Sequence, residues 1–311
     1  MTLGGIGKER QPSYHALLQL SVLFSMATAT LAWMPPPYVT SQWPSCGSWQ
    51  RRIEKVVATV AAAAEQSGGG NALVVGANTG PGPGGVDPMF NWLIGKASQR
   101  LLEKVVFLEP VPIIFRSLQR NLRHAHNAIP LNLGIANESG TFNMYCLGLT
   151  EDTTARKPNG EIRLSEEAVK LGVPGWATGT CSLNKDRLFS STDLARKGAF
   201  GALRSMRNRT AYKALITAHA VQVLTIAELM RAHVRGRLHY LQVDAEGRDD
   251  DVVLQMLDAL PAAELPVVIT FEVSLIAVDQ TRTLRAMHAL GSRNYSMCYG
   301  NKNVVAQRKG A

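Results

Sequence analysis

Leu73-Val74-Val75-Gly76-Ala77-Asn78-Thr79-Gly80 is an apolar run that breaks into a glycine turn. A short branched apolar run suits a buried strand, and a glycine directly after it lets the backbone approach a ligand with no side chain in the way. In a doubly wound sheet, nucleotide-like ligands bind at the carboxyl end of the first strand, where this turn falls. On its own an ordinary turn explains it equally well. It lacks the Gly-x-Gly-x-x-Gly spacing of dinucleotide folds, and no Gly-Lys-Ser/Thr follows to make a phosphate loop.

Downstream, apolar runs alternate with helical patterns, the signature of βαβ units and a mainly parallel sheet. Strands are expected at 72–75, 104–108, 129–133, 239–243 and 267–271, and helices at 88–102, 112–124, 250–260 and 279–290. Runs at 295–299 and 303–306, around Gly300-Asn301, predict a terminal hairpin closing the sheet. Upstream, 49–66 predicts a leading helix that stops at Gly68-Gly69-Gly70. The expected fold is α/β, a doubly wound Rossmann-like sheet with a terminal antiparallel hairpin and an N-terminal hydrophobic helix. The expected division is 1–48 as hydrophobic segment and proline-rich linker, 49–70 as leading helix and 71–311 as the main domain, with a basic insertion at about 151–213.

Two acidic features fall where that fold places ligands. Val105-Val106-Phe107-Leu108-Glu109-Pro110 ends the second expected strand in a carboxylate, positioned to accept hydrogen bonds from the hydroxyls of a ribose. Its plainer role is a charge ahead of a helix N-terminus. Leu241-Gln242-Val243-Asp244-Ala245-Glu246-Gly247-Arg248-Asp249 runs a buried-type strand into clustered carboxylates, whereas a helix cap needs only one. Glu272, after 267–271, adds another carboxylate to the same rim.

The net charge of +9 is concentrated. Between Leu183 and Lys213, eight basic residues stand against Asp186 and Asp193, either a solvated surface or one that faces an acidic substrate. No aromatic interleaving accompanies them, so nucleic acid is not an expected partner. Cys46, Cys146, Cys181 and Cys298 lack the short paired spacing of zinc sites, so no metal is expected, and spacing leaves their pairing open.

Residues 11–50 contain no Asp, Glu, Lys or Arg, and residues 15–33 read HALLQLSVLFSMATATLAW. As a helix this stretch would span ~28 Å, against a ~30 Å hydrocarbon core. Lys8 and Arg10 before it would keep the N-terminus cytosolic, so the reading is a membrane anchor with a lumenal domain in the secretory pathway. A cleaved signal or transit peptide, ending near Thr30-Leu31-Ala32, is the alternative. Asn-x-Ser/Thr triplets at Asn137, Asn208 and Asn294 suit a secretory route.

Over about 72–306 the ordered series of motifs resembles the FkbM family of methyltransferases. The series comprises Gly76-Ala77-Asn78-Thr79-Gly80; Glu109-Pro110 with Phe115, Leu118 and Asn121-Leu122; Gly134-Ile135-Ala136 with Gly140; Cys181-Ser182-Leu183; Val223-Leu224-Thr225-Ile226 with Leu229; Val243-Asp244-Ala245-Glu246-Gly247; and Phe271-Glu272. The resemblance implies a class I methyltransferase sheet and S-adenosyl-L-methionine as cofactor. By that likeness Gly76, Ala77, Asn78 and Gly80 lie against its methionine and ribose part and Glu109 on its ribose. Ile135 and Ala136 lie near the adenine, and Asp244 and Glu246 lie beside the reacting centre as catalytic residues, with Asp244 also counted among those that bind the cofactor. The implied activity is methyl transfer to a hydroxyl of a glycan or other small hydroxylated acceptor. A base is needed only if that acceptor must lose a proton, and Asp244, Glu246, His219 or His239 stands available by position.

Two departures motivate a different reading. Val74 stands where the family often carries an acid, and Gly80 to Gly85 reads GPGPGG. The alternative is a non-catalytic methyltransferase-like module that binds a partner through the basic insertion. An NAD-dependent oxidoreductase would share the fold but lacks the glycine fingerprint and has no duty for Asp244.

Overall fold

The computed structural model describes residues 44–80, 88–149, 165–171, 173, 181–185, 188, 209–234, 236–273, 280–300 and 303–310. In chain order the elements are α1 Trp49–Gln66, β1 Gly70–Val75, α2 Pro88–Ile94, α3 Ser98–Leu101, β2 Leu102–Leu108, α4 Pro112–Leu122, β3 Ala128–Leu131, β4 Gly134–Ile135 and β5 Gly140–Leu147. There follow α5 Glu166–Lys170, β6 Cys181–Ser182, α6 Arg209–Ala214, β7 Ile216–Leu224, α7 Ile226–His233, β8 Leu238–Val243, α8 Asp249–Ala259, β9 Val268–Glu272, α9 Gln280–Ser292, β10 Tyr295–Gly300 and β11 Asn303–Arg308.

Seven strands form the main sheet in the order β10-β11-β9-β8-β1-β2-β3. The pairs β9/β8, β8/β1, β1/β2 and β2/β3 are parallel, and β11 runs antiparallel to both β9 and β10. The chain leaves β1 toward β2 on one side and reaches β8 on the other, so the switch point of the sheet lies between β1 and β8. All six residues of β1 are buried, as expected for a central parallel strand with both faces covered. Alternation sorts them: Leu73 and Val75 face the layer of α7, α8 and α9 through Leu229, Val252 and Met287, while Ala72 and Val74 face α1 and α2 through Val60 and Phe90.

The expected 88–102 helix is interrupted. Gly95 turns the chain, with its N–H donating to the Trp92 carbonyl, and the Ser98 hydroxyl donates to the Leu93 and Gly95 carbonyls. β2 starts at Leu102, earlier than expected, so the helix has no room to continue. The hydrophobic stretch 15–33 lies outside the described residues, so the expected N-terminal helix is not among the elements seen. No helix among the described residues is long and apolar enough to cross a membrane.

A second sheet, absent from the sequence reading, has the order β4-β7-β5-β6. Its body is the long antiparallel pair β5/β7, registered from Gly140 opposite Val223 to Leu147 opposite Ile216. β4 adds on one side in parallel, and the two-residue β6 adds on the other. Most of the basic stretch expected as an insertion lies outside the described residues.

All four cysteines are paired. Cys146 on β5 joins Cys181 on β6, and Cys46 joins Cys298 on β10. The second bridge reinforces backbone pairing that extends the sheet edge, where Cys46 N–H donates to Tyr299 O and Tyr299 N–H to Pro44 O, each at 3.0 Å. The Arg52 guanidinium, buried under α1, donates to the Gly300 carbonyl beside it. Residues 44–47, expected within the linker, are therefore bound to the main sheet. Because Cys46 and Cys298 lie 252 residues apart, the bridge restricts the unfolded chain strongly. Replacing both cysteines with serine should lower the unfolding free energy by about 2–5 kcal/mol. Reductant should lower the melting temperature of the wild type comparably, and calorimetry showing neither effect would refute the bridge.

Candidate active site

The site is built where β1 and β8 end. Asp244 N–H donates to Val75 O at 2.9 Å, while Gly76 and Ala77 N–H both donate to Leu108 O at 3.1 and 2.8 Å. Gly76 has φ +79°, and a Cβ on it would lie 1.9 Å from the Asp244 carbonyl oxygen. Only glycine lets the three strand ends converge in this way. Asn78 is also left-handed, at φ +51°, and its side-chain oxygen accepts the Thr79 N–H at 2.7 Å. Asn121 of α4 donates to Thr79 O at 2.8 Å, tying the turn to the helix behind it.

Glu109 follows β2 and is 5% exposed. Its carboxylate accepts the Val111 N–H at 2.9 Å, and Asn132 donates to the Glu109 and Pro110 carbonyls at 2.8 and 2.9 Å. Burial pushes the carboxyl up to about 7, against the pull of the Val111 and Asn78 N–H groups, with nearby Asp244 adding to the rise.

Past β8 the chain turns sharply, with Glu246 at φ +48° and Gly247 at φ +92°. Asp244 is exposed and Glu246 half-buried. Asp249, 3% exposed, accepts N–H groups from Ala245 at 3.2 Å and Gly247 at 3.1 Å. Burial, then the charge of Asp244, pushes its carboxyl well above the usual carboxylate range. Arg248 pairs with Asp251 at 3.0 Å.

These strand ends surround a cavity with about 800 Å³ of empty space, part of it open to solvent. Six of the nine residues singled out from sequence line it: Gly76, Asn78, Glu109, Ile135, Asp244 and Glu246. The other three shape its walls instead. Ala77 buries its methyl group in the α1/α2 core, Ala136 packs with Val221 and Val223, and Gly80 fits closely against Leu118 and Phe90.

Val74 also lies away from the cavity, in the core beneath α1 and α2, so its difference from the family pattern does not alter the lining. The five residues after Gly80 in the unusual loop, 81–85, lie outside the described residues. Neither histidine reaches the cavity. His219 on β7 meets the Thr217 hydroxyl at 2.9 Å, and His239, near the start of β8 and so at the opposite end of the strand from the cavity, meets Ser67 at 2.8 Å.

Sequence reasoning missed the far wall. Met144 on β5, Val223 on β7 and the Cys181-Ser182-Leu183 segment line it, so the second sheet forms one side of the cavity. The signal was present in the Cys181-Ser182-Leu183 motif, which carried no assigned role. Arg248 also lines the cavity and reaches the Asn137 side chain at 3.5 Å, bridging the β8 loop to the segment after β4. Among the described residues no cluster of His, Cys, Asp and Glu is arranged to hold a metal ion.

This architecture can be set beside known proteins. The chain is similar to the crystal structure of methyltransferase FkbM from Methylobacillus flagellatus KT, at 12% identity and TM-score 0.40, over 77% of this chain and 43% of that one. It is similar also to Aeropyrum pernix fibrillarin in complex with natively bound S-adenosyl-L-methionine, at 9% identity and TM-score 0.33, over 76% and 66% of the two chains. The chain thus spans less than half of the first structure's length. No curated protein matches it in sequence. The family model described as the methyltransferase FkbM domain matches residues 75–296, which is most of the chain and contains every residue of the site described above. The chain belongs to the FkbM methyltransferase family.

Proposed function

We propose that the protein transfers a methyl group from S-adenosyl-L-methionine to a hydroxyl of a glycan or other small hydroxylated acceptor. The observation that carries the donor assignment is Glu109: a buried carboxyl at the end of β2, facing a cavity whose floor is a glycine turn too tight for any side chain. Burying a carboxyl is costly unless hydrogen bonds or a ligand compensate, and a ribose diol supplies two hydroxyl donors to such a group. Ile135, Leu133 and Val223 give the apolar wall suited to a flat base, and the Gly76 and Asn78 backbone admits the remainder. When bound, the donor supplies an activated methyl group on a sulfonium.

The protein's part is to align the acceptor oxygen, which is largely a matter of position. Asp244 and Glu246 are the carboxylates on the cavity able to orient an acceptor hydroxyl and take its proton. In this proposal the domain lies in the lumen of the secretory pathway, tethered through residues 15–33. Two disulfides support an oxidising compartment.

Titrating the protein with S-adenosyl-L-methionine should give saturable binding, and its absence would overturn the proposal. Incubation with labelled donor and a panel of glycans and small hydroxylated compounds then identifies the acceptor. With an acceptor in hand, Asp244→Asn should lower turnover by ~10²-fold or more with little change in melting temperature. Full turnover in both Asp244→Asn and Glu246→Gln would remove these carboxylates from the reaction.

Glu109 also predicts opposite pH trends for stability and affinity. Its folded-state value of about 7 exceeds the ordinary 4.5, so between those limits the folded protein holds a proton that the unfolded chain has lost. The contribution to ligand-free stability is therefore full below pH 4.5 and lost as pH rises through about 7, ~3 kcal/mol in all. Asp249, raised in the same direction, adds a loss of the same sign. Donor affinity should do the reverse, rising through the same range as Glu109 ionises and accepts both hydroxyls. Glu109→Gln should flatten the affinity profile and weaken binding tenfold or more, the loss of ~1.5–3 kcal/mol expected for charge-assisted bonds. Calorimetric titrations from pH 5.5 to 8.5 check this, and an affinity independent of pH in the wild type would contradict the assignment.

A further inference from the structure

Asp249 lies beside the cavity loop but does not line the cavity, and the chemistry above gives it no task. It is the first residue of α8, whose first turn also holds Asp250 and Asp251. A helix N-terminus favours negative charge, and those two neighbours supply it. Asp250 and Asp251 pair with Arg282, and Asp251 also meets Arg248. Asp249 turns the other way and is almost fully buried, close enough to Asp244 and Glu272 for both charges to oppose its ionisation. A cap has no need of so unfavourable a placement.

What offsets the burial is two hydrogen bonds, both from the loop that precedes the helix. The N–H groups of Ala245 and Gly247 converge on the two oxygens of the Asp249 carboxylate. Between them stands Glu246 in the left-handed region, a conformation disfavoured for any residue with a Cβ. The two bonded amides therefore bracket the turn that decides where Asp244 and Glu246 point. At one end of the loop the Asp244 N–H is held by Val75 O, and at the other Arg248 is held by Asp251. Asp249 holds the middle.

We infer that Asp249 is a positioning residue: its buried carboxylate, bridging the Ala245 and Gly247 amides, locks the 244–248 loop in the shape that presents Asp244 and Glu246 to the cavity. This rests on the proposed role of that cavity, but the structural half stands without it.

The test uses the full chain carrying Asp249→Ala or Asp249→Asn, with two readouts. The first is ligand-free hydrogen exchange of the 244–248 amides; the second is calorimetric titration with S-adenosyl-L-methionine. In Asp249→Ala the Ala245 and Gly247 amides should exchange about tenfold faster or more, while the strands of the main sheet keep their protection. Donor affinity should fall by a similar factor. Asparagine keeps one acceptor oxygen and should restore part of both losses, which a residue serving only as helix-end charge would not do. Unchanged exchange in Asp249→Ala overturns the inference. So does a loss of affinity that only follows a general loss of protection, with asparagine no better than alanine. If the alanine variant does not fold, the asparagine variant decides on the same readouts, and wild-type exchange in it overturns the inference. A wild type that fails to bind the donor sinks the functional proposal alone, because the exchange comparison needs no ligand.

Discussion

The site depends on one steric constraint, the contact of Gly76 with the Asp244 carbonyl. A Cβ at Gly76 would fall 1.9 Å from that oxygen, well inside any permissible contact. Without a side chain there, the turn after β1 folds onto the exit of β8, and the Val75 carbonyl is free to take the Asp244 N–H. The same turn puts the Gly76 and Ala77 amides on the Leu108 carbonyl, at the end of β2. One missing methyl group thus fixes three strand ends together and places Glu109 and Asp244 on one cavity. Parallel strands whose ends splayed would carry the same residues without making them a site.

Convergence of this kind gathers like charges. Glu109, Asp244 and Glu272 come from strand ends or the residues just beyond them and Asp249 from the start of α8, and the two that are buried, Glu109 and Asp249, are both shifted upward. Desolvation is the larger cause in each, with Asp244 contributing to both. The protein tolerates this because backbone amides are turned toward the carboxylates: Val111 toward Glu109, Ala245 and Gly247 toward Asp249. Such an arrangement is unfavourable for the empty protein, and in the function proposed above the hydroxyl groups and positive centre of the donor would offset it. That difference in free energy is what a binding site needs.

Much of the main sheet was legible because its strands are buried on both faces and read as continuous apolar runs between glycines. Glu109 and Asp244 were legible for the same reason, since a carboxylate ending such a run has few places to go. The second sheet was not. Along β7 the buried positions His219, Val221 and Val223 alternate with exposed Ala220 and Gln222, and β5 carries Asn143 and Thr141 among its apolar residues. A strand with one solvated face and a histidine on the other gives a diluted period-two signal, easily lost beside a long polar stretch. The break at Gly95 was hidden because helix formers stand on both sides of it. Ala77, Gly80 and Ala136 are not among the residues lining the cavity, because a motif gives positions along the chain, while facing the cavity or the core depends on the turn each residue occupies.

The disulfides connect this architecture to its surroundings. Among the described residues β6 contributes two to the second sheet, paired through Tyr145 opposite Ser182 and Cys146 opposite Cys181. A strand so short has little ladder to hold it, yet it carries Cys181 and Ser182 into the cavity wall. The Cys146–Cys181 bond supplies what the ladder lacks, anchoring the segment to β5 among Val111, Ile114 and Leu149. Leu183, one residue on, can then pack with Val221 and Val223 and close the far side of the site. The near wall is made by strands that form wherever the chain folds, whereas the far wall is pinned by a bond that persists only where thiols are oxidised. The far wall is therefore held by a covalent bond, although none of the residues proposed to bind the donor or act on the acceptor is a cysteine.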